Sequence, residues 1–429
     1  MSVKIIASAV VLFGLSCAAM GQQARTGATA SELVQQALQR NRDFLSASAR
    51  VAEAEALLRQ AGLRPNATIE VESKTGWLLG SKGESEQSVG YFYPFERGGK
   101  RDKRIELAQK NIELAEAEVE ERKRELTFDV KKQFIHAITA YEKLQAINRI
   151  IPVNRESYQL TVSRVSLGDA PPIEEQLLLV DVNRAEAQQV SLSSGYESAL
   201  VELKAAVGLT SSDSLSVTPG FDLTEPDANI EQLRQYALQN RADLRILKLS
   251  EEQAAAEGAL ALAEGTPDIT GSARYSHTTS QFDQFGLSGT GAIVPLTDSD
   301  NVLTFGVSIP LFSKRRAQNL VDAATARQTE ARLRREHLQN VITQEVNAAY
   351  RRWSGAKQVL TMLQGGVIQQ SEKNLSVIRE AYRLGQLRIM DVLNEQRRLN
   401  DTQLAYIDAQ ADAAQALTEL EHAVGGNLP

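Results

Sequence analysis

Ala199-Leu200-Val201-Glu202-Leu203-Lys204-Ala205-Ala206-Val207-Gly208 returns 217 residues later as Ala416-Leu417-Thr418-Glu419-Leu420-Glu421-His422-Ala423-Val424-Gly425. Outward from this pair the correspondence continues. Leu33-Val34-Gln35-Gln36-Ala37-Leu38-Gln39 matches Leu233-Arg234-Gln235-Tyr236-Ala237-Leu238-Gln239, and Asp43 matches Asp243, at an offset of 200. Gly90 to Pro94 matches Gly306 to Pro310 at 216, and Leu167-Gly168 matches Leu384-Gly385 at 217. The order is kept and the offsets barely drift, so the chain is two copies of one unit. The first copy lies within 22–208 and the second within 230–429. The linker between them, 209–229, is rich in Ser, Asp, Thr and Pro.

Each unit reads helix, strand, strand, long helix, turn, helix. The strand segments, at about 67–77, 86–95, 268–278 and 301–311, alternate apolar with polar residues, the mark of a sheet with two unlike faces. Val89, Tyr91, Tyr93 and Phe95 share one face; so do Ile69 and Val71, and Ala273 and Tyr275. Leu303, Phe305, Val307, Ile309 and Leu311 share another, opposite Thr304, Gly306 and Ser308. A membrane β-barrel uses such segments; a soluble sheet packed on a helix would show the same alternation.

The helices discriminate further. From about 98 to 167 the pattern is helical, with Leu126, Val130, Phe134, Ile138, Tyr141 and Leu144 at coiled-coil spacings. Pro152 is expected to kink or break this run, and Gly365-Gly366 sits at a comparable place in a second run, from about 314 to 384. Helices of that length reach roughly 100 Å, which no compact domain needs. The short helices, at about 30–63 and 173–208, and 230–263 and 390–424, sum in each unit to the length of the long one. They can stack end to end beside it, with the linker and both chain ends at mid-height. One chain supplies four strands, too few to close a barrel, and an open sheet edge cannot face lipid. Three chains would supply twelve. The expected fold is mainly α with a β-barrel portion: a trimeric twelve-stranded barrel continued by a long helical tube.

Taken with the duplicated layout, the second tip, Tyr382-Arg383-Leu384-Gly385-Gln386-Leu387-Arg388-Ile389-Met390-Asp391-Val392-Leu393, resembles the TolC family of outer-membrane efflux proteins. Its Tyr, Gly and Asp-Val-Leu, with a later Leu399, follow the family pattern. The first tip matches in Leu167-Gly168 and departs in Ala170-Pro171-Pro172. The resemblance covers nearly the whole mature chain. It implies a homotrimer in the outer-membrane lipid with its helical part in the periplasm. A periplasmic adaptor would meet the tips Leu167, Gly168, Leu384 and Gly385, and an inner-membrane pump would drive export. It further implies that Asp391 contributes to a ring of gating charges, that Tyr382 bonds a neighbouring helix, and that Glu174 is its acidic partner. Asn394 stands at the second ring position, and Leu387 occupies the slot of a family arginine, with Arg388 following. Phe95-Glu96-Arg97-Gly98-Gly99-Lys100-Arg101 resembles a Gly-Gly-Lys-Arg segment found in the ducts of heavy-metal cation exporters of the RND type; glycines there also permit a strand to turn into a helix.

The N-terminus reads as a secretory signal over 1–21: Lys4 supplies charge, Ile5 to Leu15 the apolar core, and Ala19-Met20-Gly21 the cleavage site. Cys17, the only cysteine, is an alternative lipidated start, although Gly14-Leu15-Ser16 departs from the lipoprotein pattern. The net charge of −7 is spread along alternating helical faces, which excludes a nucleic-acid patch. His136, His277, His337 and His422 have no ligand spacing, so no metal site is read. No nucleophile elbow, phosphate loop or other catalytic motif is present, so neither enzyme activity nor a cofactor is expected. A type I protein-secretion duct and a soluble periplasmic coiled-coil scaffold are the rival readings.

Overall fold

The computed structural model describes residues 27–76, 80, 83–224, 228–311, 314–426 and 428. The expected leader with Cys17 lies outside these residues, as does Trp77 at the end of the first expected strand.

Six element types recur in the same order. The first unit runs α1 (Ala30–Arg40), α2 (Arg42–Ala61), β1 (Thr68–Thr75), β2 (Ser85–Phe95), α3 (Lys100–Ser166) and α4 (Pro172–Val207). The second runs α5 (Ile230–Asn240), α6 (Ala242–Glu264), β3 (Ile269–Leu287), β4 (Ile293–Ser308), a long helix divided into α7 (Lys314–Gln364) and α8 (Val367–Arg383), and α9 (Ile389–Val424). The copies agree down to their caps. Thr29 and Glu32 bond reciprocally at the start of α1, and Asn229 and Gln232 do the same, 200 residues on, at the start of α5.

The short N-terminal helices are each broken, where the sequence reads as one helix. Asn41 and Arg241 leave the helical region at ψ 114° and 126°. Asn41 Oδ1 accepts from the amides of Asp43 and Phe44 and so starts α2, while its Nδ2 donates to the Ala206 carbonyl at the end of α4, 3.0 Å away. Arg241 does the second of these jobs, donating to the Ala423 carbonyl at the end of α9 (3.2 Å). The end of α4 therefore meets the α1/α2 joint, and the end of α9 meets the α5/α6 joint. Pro152 does not break α3, which stays helical for 67 residues, or about 100 Å. Buried Ile147, Ile151 and Asn154 flank it, and their packing holds the turn despite the lost amide donor.

The elements lie side by side in one order at both ends. The sheet is antiparallel, β1-β2-β3-β4. Among the helices, α3 packs on α1, α2 and α4 to one side and on α6 and α9 to the other; α7 follows, against α5, α6 and α9. Two equivalent cores occupy mid-height. Leu33, Ala37, Leu126, Val130, Leu203 and Val207 form one, and Leu233, Ala237, Ile342, Val346, Leu420 and Val424 the other. The linker is docked on this girdle. Val217 is buried in the first core, and the Ala28 amide donates to the Ser216 carbonyl at 2.8 Å.

The sheet's register aligns its apolar residues in rows. Ile69, Tyr91, Ala273 and Phe305 form one row; Val71, Val89, Tyr275 and Leu303 form the next. This face is open: Ile69, Val71, Leu303 and Phe305 are 61–76% exposed. The second hairpin is longer than its apolar alternation. Beyond Thr279, β3 no longer pairs with β2, and β3 and β4 continue as a two-stranded ribbon with an irregularity between Gln281 and Phe285.

Candidate functional site

The opposite face of the sheet gathers charge. Arg274 reaches Glu70 (3.0 Å), Glu72 (2.7 Å) and the Ser88 hydroxyl (3.0 Å), and lies over the Phe92 ring. Lys74 pairs with Glu86 at 3.0 Å. Asp298 and Asp300 occupy the same face by register. Among the described residues of these strands the inventory is five acids against two cations.

Where β2 becomes α3, Gly98 and Gly99 both adopt left-handed backbone, at φ 75° and 67°. A Cβ on Gly98 would meet Thr266 at 2.8 Å. The largely buried Lys100 donates to Asp268 Oδ1 at 2.8 Å, and Arg101 donates to the Gly62 carbonyl at 2.7 Å. This segment therefore builds the strand-to-helix joint. Among the described residues, no cluster of His, Cys, Asp and Glu is arranged to hold a metal ion.

At the far end of the helices stand the two hairpin tips, built alike. After α3, Gly168 turns at φ 79° and the Asp169 amide donates to the Arg164 carbonyl (2.8 Å). After α8, Gly385 turns at φ 76° and the Gln386 amide donates to the Ala381 carbonyl (2.9 Å). Both are glycine-closed helix ends of the Schellman kind. Leu167 and Leu384 are 75% and 65% exposed, and a Cβ at either glycine would enter open space. Pro171 and Pro172 start α4, so the departure of the first tip from the second lies in its exit, not its turn.

Tyr382 and Glu174 are brought together. The Tyr382 ring is buried among Leu178, Leu375, Ile389, Val392 and Leu393, and its hydroxyl donates to Glu174 Oε2 at 2.7 Å. Burial first, and then this hydrogen bond, raise the Tyr382 pKa, so the phenol keeps its proton. Arg164 stacks over the same ring, 4.8 Å from its centre. Asp391 is exposed in the first turn of α9, where Oδ2 accepts from the Arg388 amide at 3.0 Å. Asn394 is exposed beside it.

Above this pair lies a polar chain that the sequence reading missed. Gln396 donates to Asn154 Oδ1, and Asn154 Nδ2 donates to Asp181 Oδ2 at 3.3 Å. Arg397 approaches Asp181 Oδ1 at 3.4 Å. Asn154 and Gln396 are both buried. A signal existed: Asn154 follows Ile147 and Ile151 at seam spacing, and Gln396 follows Ile389, Val392 and Leu393. A polar residue on an apolar seam marks a pairing position.

Comparison with known proteins adds to this geometry. The model of a family described as outer membrane efflux protein matches residues 33–209 and 233–426. The cobalt-zinc-cadmium resistance protein CzcC of Cupriavidus metallidurans is 23% identical over 77% of this chain and 75% of its own. The nickel-cobalt-cadmium resistance protein NccC of Alcaligenes xylosoxydans xylosoxydans is 27% identical over 71% of this chain and 64% of its own, just under two thirds of that relative. Among solved structures, the channel protein CusC superposes with a TM-score of 0.71 at 18% identity, over 93% of this chain and 92% of that one.

Proposed function

The chain belongs to the outer membrane efflux protein family, and from that premise we propose that it is the exit duct of a tripartite efflux assembly. It resides in the outer membrane with its helical part in the periplasm. An inner-membrane pump and a periplasmic adaptor feed it, and the duct itself is passive. The finer reading is a homotrimer whose three four-stranded sheets close a twelve-stranded barrel, about 12 Å in backbone radius.

One observation carries this reading. The sheet presents an open apolar face in register across all four strands, while its outer edges on β1 and β4 have no partner among the described residues. Fully open apolar rows suit lipid, and unpaired edges in lipid demand closure with further copies. The lateral helix order supports it. The outer columns expose Val180, Val190 and Val201 on α4 and Leu333, Val359 and Met362 on α7, surfaces that a neighbouring copy would cover.

The periplasmic end is the gate. Tyr382 and Glu174 tie the second hairpin to the first, Asp391 places three carboxylates in a ring, and the exposed Leu167-Gly168 and Leu384-Gly385 turns meet the adaptor. The pump is of the RND type and the cargo is cationic, in keeping with the metals named for CzcC and NccC and with five acids against two cations on the sheet's inner face. That face would favour cations at the exit.

The test is the size and membrane partition of the detergent-extracted native protein. A species of about three chain masses, confined to the outer-membrane fraction, is expected. A soluble monomer or dimer would remove the barrel and the duct with it.

A further inference from the structure

The two long helices each carry an interruption at the same height. Pro152 follows the start of α3 by 52 residues. Gly365 follows the start of α7 by 51. Both helices begin at the sheet, so these positions lie level, some 77 Å below it. Their consequences differ. Proline removes one amide donor, yet α3 continues. The glycines end α7 and restart α8, with Gly366 at φ 100°. Below this plane the α3/α4 hairpin is continuous with the rest of the unit, whereas α8 is joined to α7 only through the glycine break.

The α3/α4 hairpin is also bound within itself. Arg155 pairs with Glu186 at 2.5 Å, and Gln189 donates to Asn148 at 2.7 Å. Buried Ile147, Ile151 and Ala185 fill the space between these helices. Next to them the polar chain crosses to α9. Two of its members, Asn154 and Asp181, belong to the first hairpin; the other two, Gln396 and Arg397, belong to the second. It flanks an open cavity of about 160 Å³, whose lining includes Arg184, Gln188, Asn400 and Asp401. Water admitted there can satisfy the same groups once they part. A dry apolar seam has no such substitute, so a contact built this way separates at lower cost and in a defined place.

We propose that Asn154, Asp181, Gln396 and Arg397 form a second, upper latch of the periplasmic end. It holds the α8/α9 hairpin to the α3/α4 hairpin just below the Gly365-Gly366 hinge, and opening of the duct requires its release. This rests on reading Tyr382 and Glu174 as the lower latch. The hinge supplies the freedom, the upper latch sets the pivot, and the tips below move furthest.

The experiment is single-channel conductance of the purified, assembled protein in planar bilayers. The variants are Asn154→Leu with Gln396→Leu together, which removes both members of the buried amide pair while Asp181 keeps Arg397 as its partner, and Tyr382→Phe as the lower-latch comparison. The double variant is expected to raise conductance at least twofold, and Gly365→Ala, a stiffer joint whose Cβ would stand 3.3 Å from the Met362 carbonyl, is expected to reverse part of that rise. If Tyr382→Phe raises conductance and the double variant does not, the upper latch is overturned while the gate stands. If neither does, the gate reading falls and the latch with it. Should the double variant fail to assemble, Arg397→Gln separates the half-exposed partner from Asp181 and leaves the buried pair intact. A smaller rise supports the latch; an unchanged current overturns it.

Discussion

Arg241 is the residue on which the second unit's mid-height joint turns. It is 5% exposed, yet it holds Asp243 at 2.6 Å, Glu345 at 2.5 Å and the Ala423 carbonyl near the end of α9. Burial alone would raise the Asp243 pKa; the hydrogen bond and charge of Arg241 outweigh it and hold that carboxyl below its usual range. Removing one side of a buried pair leaves the other uncompensated. Arg241→Met is therefore expected to cost about 3–5 kcal/mol, read as a large fall in the thermal midpoint of the solubilised protein. Asn41→Ala, at the equivalent joint, should cost only about 1 kcal/mol, because it loses neutral bonds. His422 lies close by, against Phe128 at 4.4 Å between ring centres. Burial first, then the charges of Arg124 and Arg241, depress its pKa from 6.5 to about 4. The folded value is the lower one, so the unfolded chain binds the proton first as pH falls. Stability should decline between pH 6.5 and about 4 and level off below. His422→Phe keeps the stacking and should flatten that part of the profile, by on the order of 2 kcal/mol per chain after solvent screening. An unchanged difference between the two proteins across this window would show that His422 titrates normally.

At the level of elements, the sheet and its belt make a separate prediction. Phe305→Asp with Val307→Asp places two charges in the open apolar rows. Each should cost on the order of 1–3 kcal/mol in a lipid-facing barrel, and the variant should fail to appear in the outer-membrane fraction. Normal insertion would mean that this face meets something other than lipid. The same rows explain what was legible from sequence. Alternation marked the inner parts of β3 and β4 but stopped near His277 and Asn301, because it records the apolar belt and not the ladder. Hydrogen bonding continues to Leu287 and Ile293, where the pattern carries no signal. The breaks at Asn41 and Arg241 were hidden for the converse reason. Apolar spacing runs on through both joints, since the two helices on either side bury the same face. Only the short Asn41-Arg42-Asp43 cap hints at the first. At the tips, Leu-Gly was readable because a glycine turn has a strict local requirement, whereas Tyr382 was reached only through the resemblance of the second tip to a known family. The Asn154–Asp181–Gln396 chain joins positions far apart in sequence, and no local rule connects them.

For the whole molecule, duplication is the organising fact. Strand order and helix order run the same way across one chain, so a copy placed at either edge continues both. Two columns and one hairpin per unit then give a wall with the same count at the sheet and at the tips. In the proposed trimer Asp391 repeats three times around the axis. Asp391→Asn keeps an acceptor for the Arg388 amide and removes the charge. Conductance should rise and cation selectivity should fall by roughly twofold; unaltered currents would place the charge outside the conducting path. The projecting β3/β4 ribbon has a further consequence. Residues 284–297 contain no charged side chain in a chain where 24% are charged, and their turn, around Gly289, is open on all sides. In an outer-membrane barrel this is the part of the protein that the surroundings of the cell encounter first. A short foreign peptide spliced in at Gly289 would be displayed three times per proposed trimer to antibodies on intact cells, and the helices of the proposed gate would not register its presence.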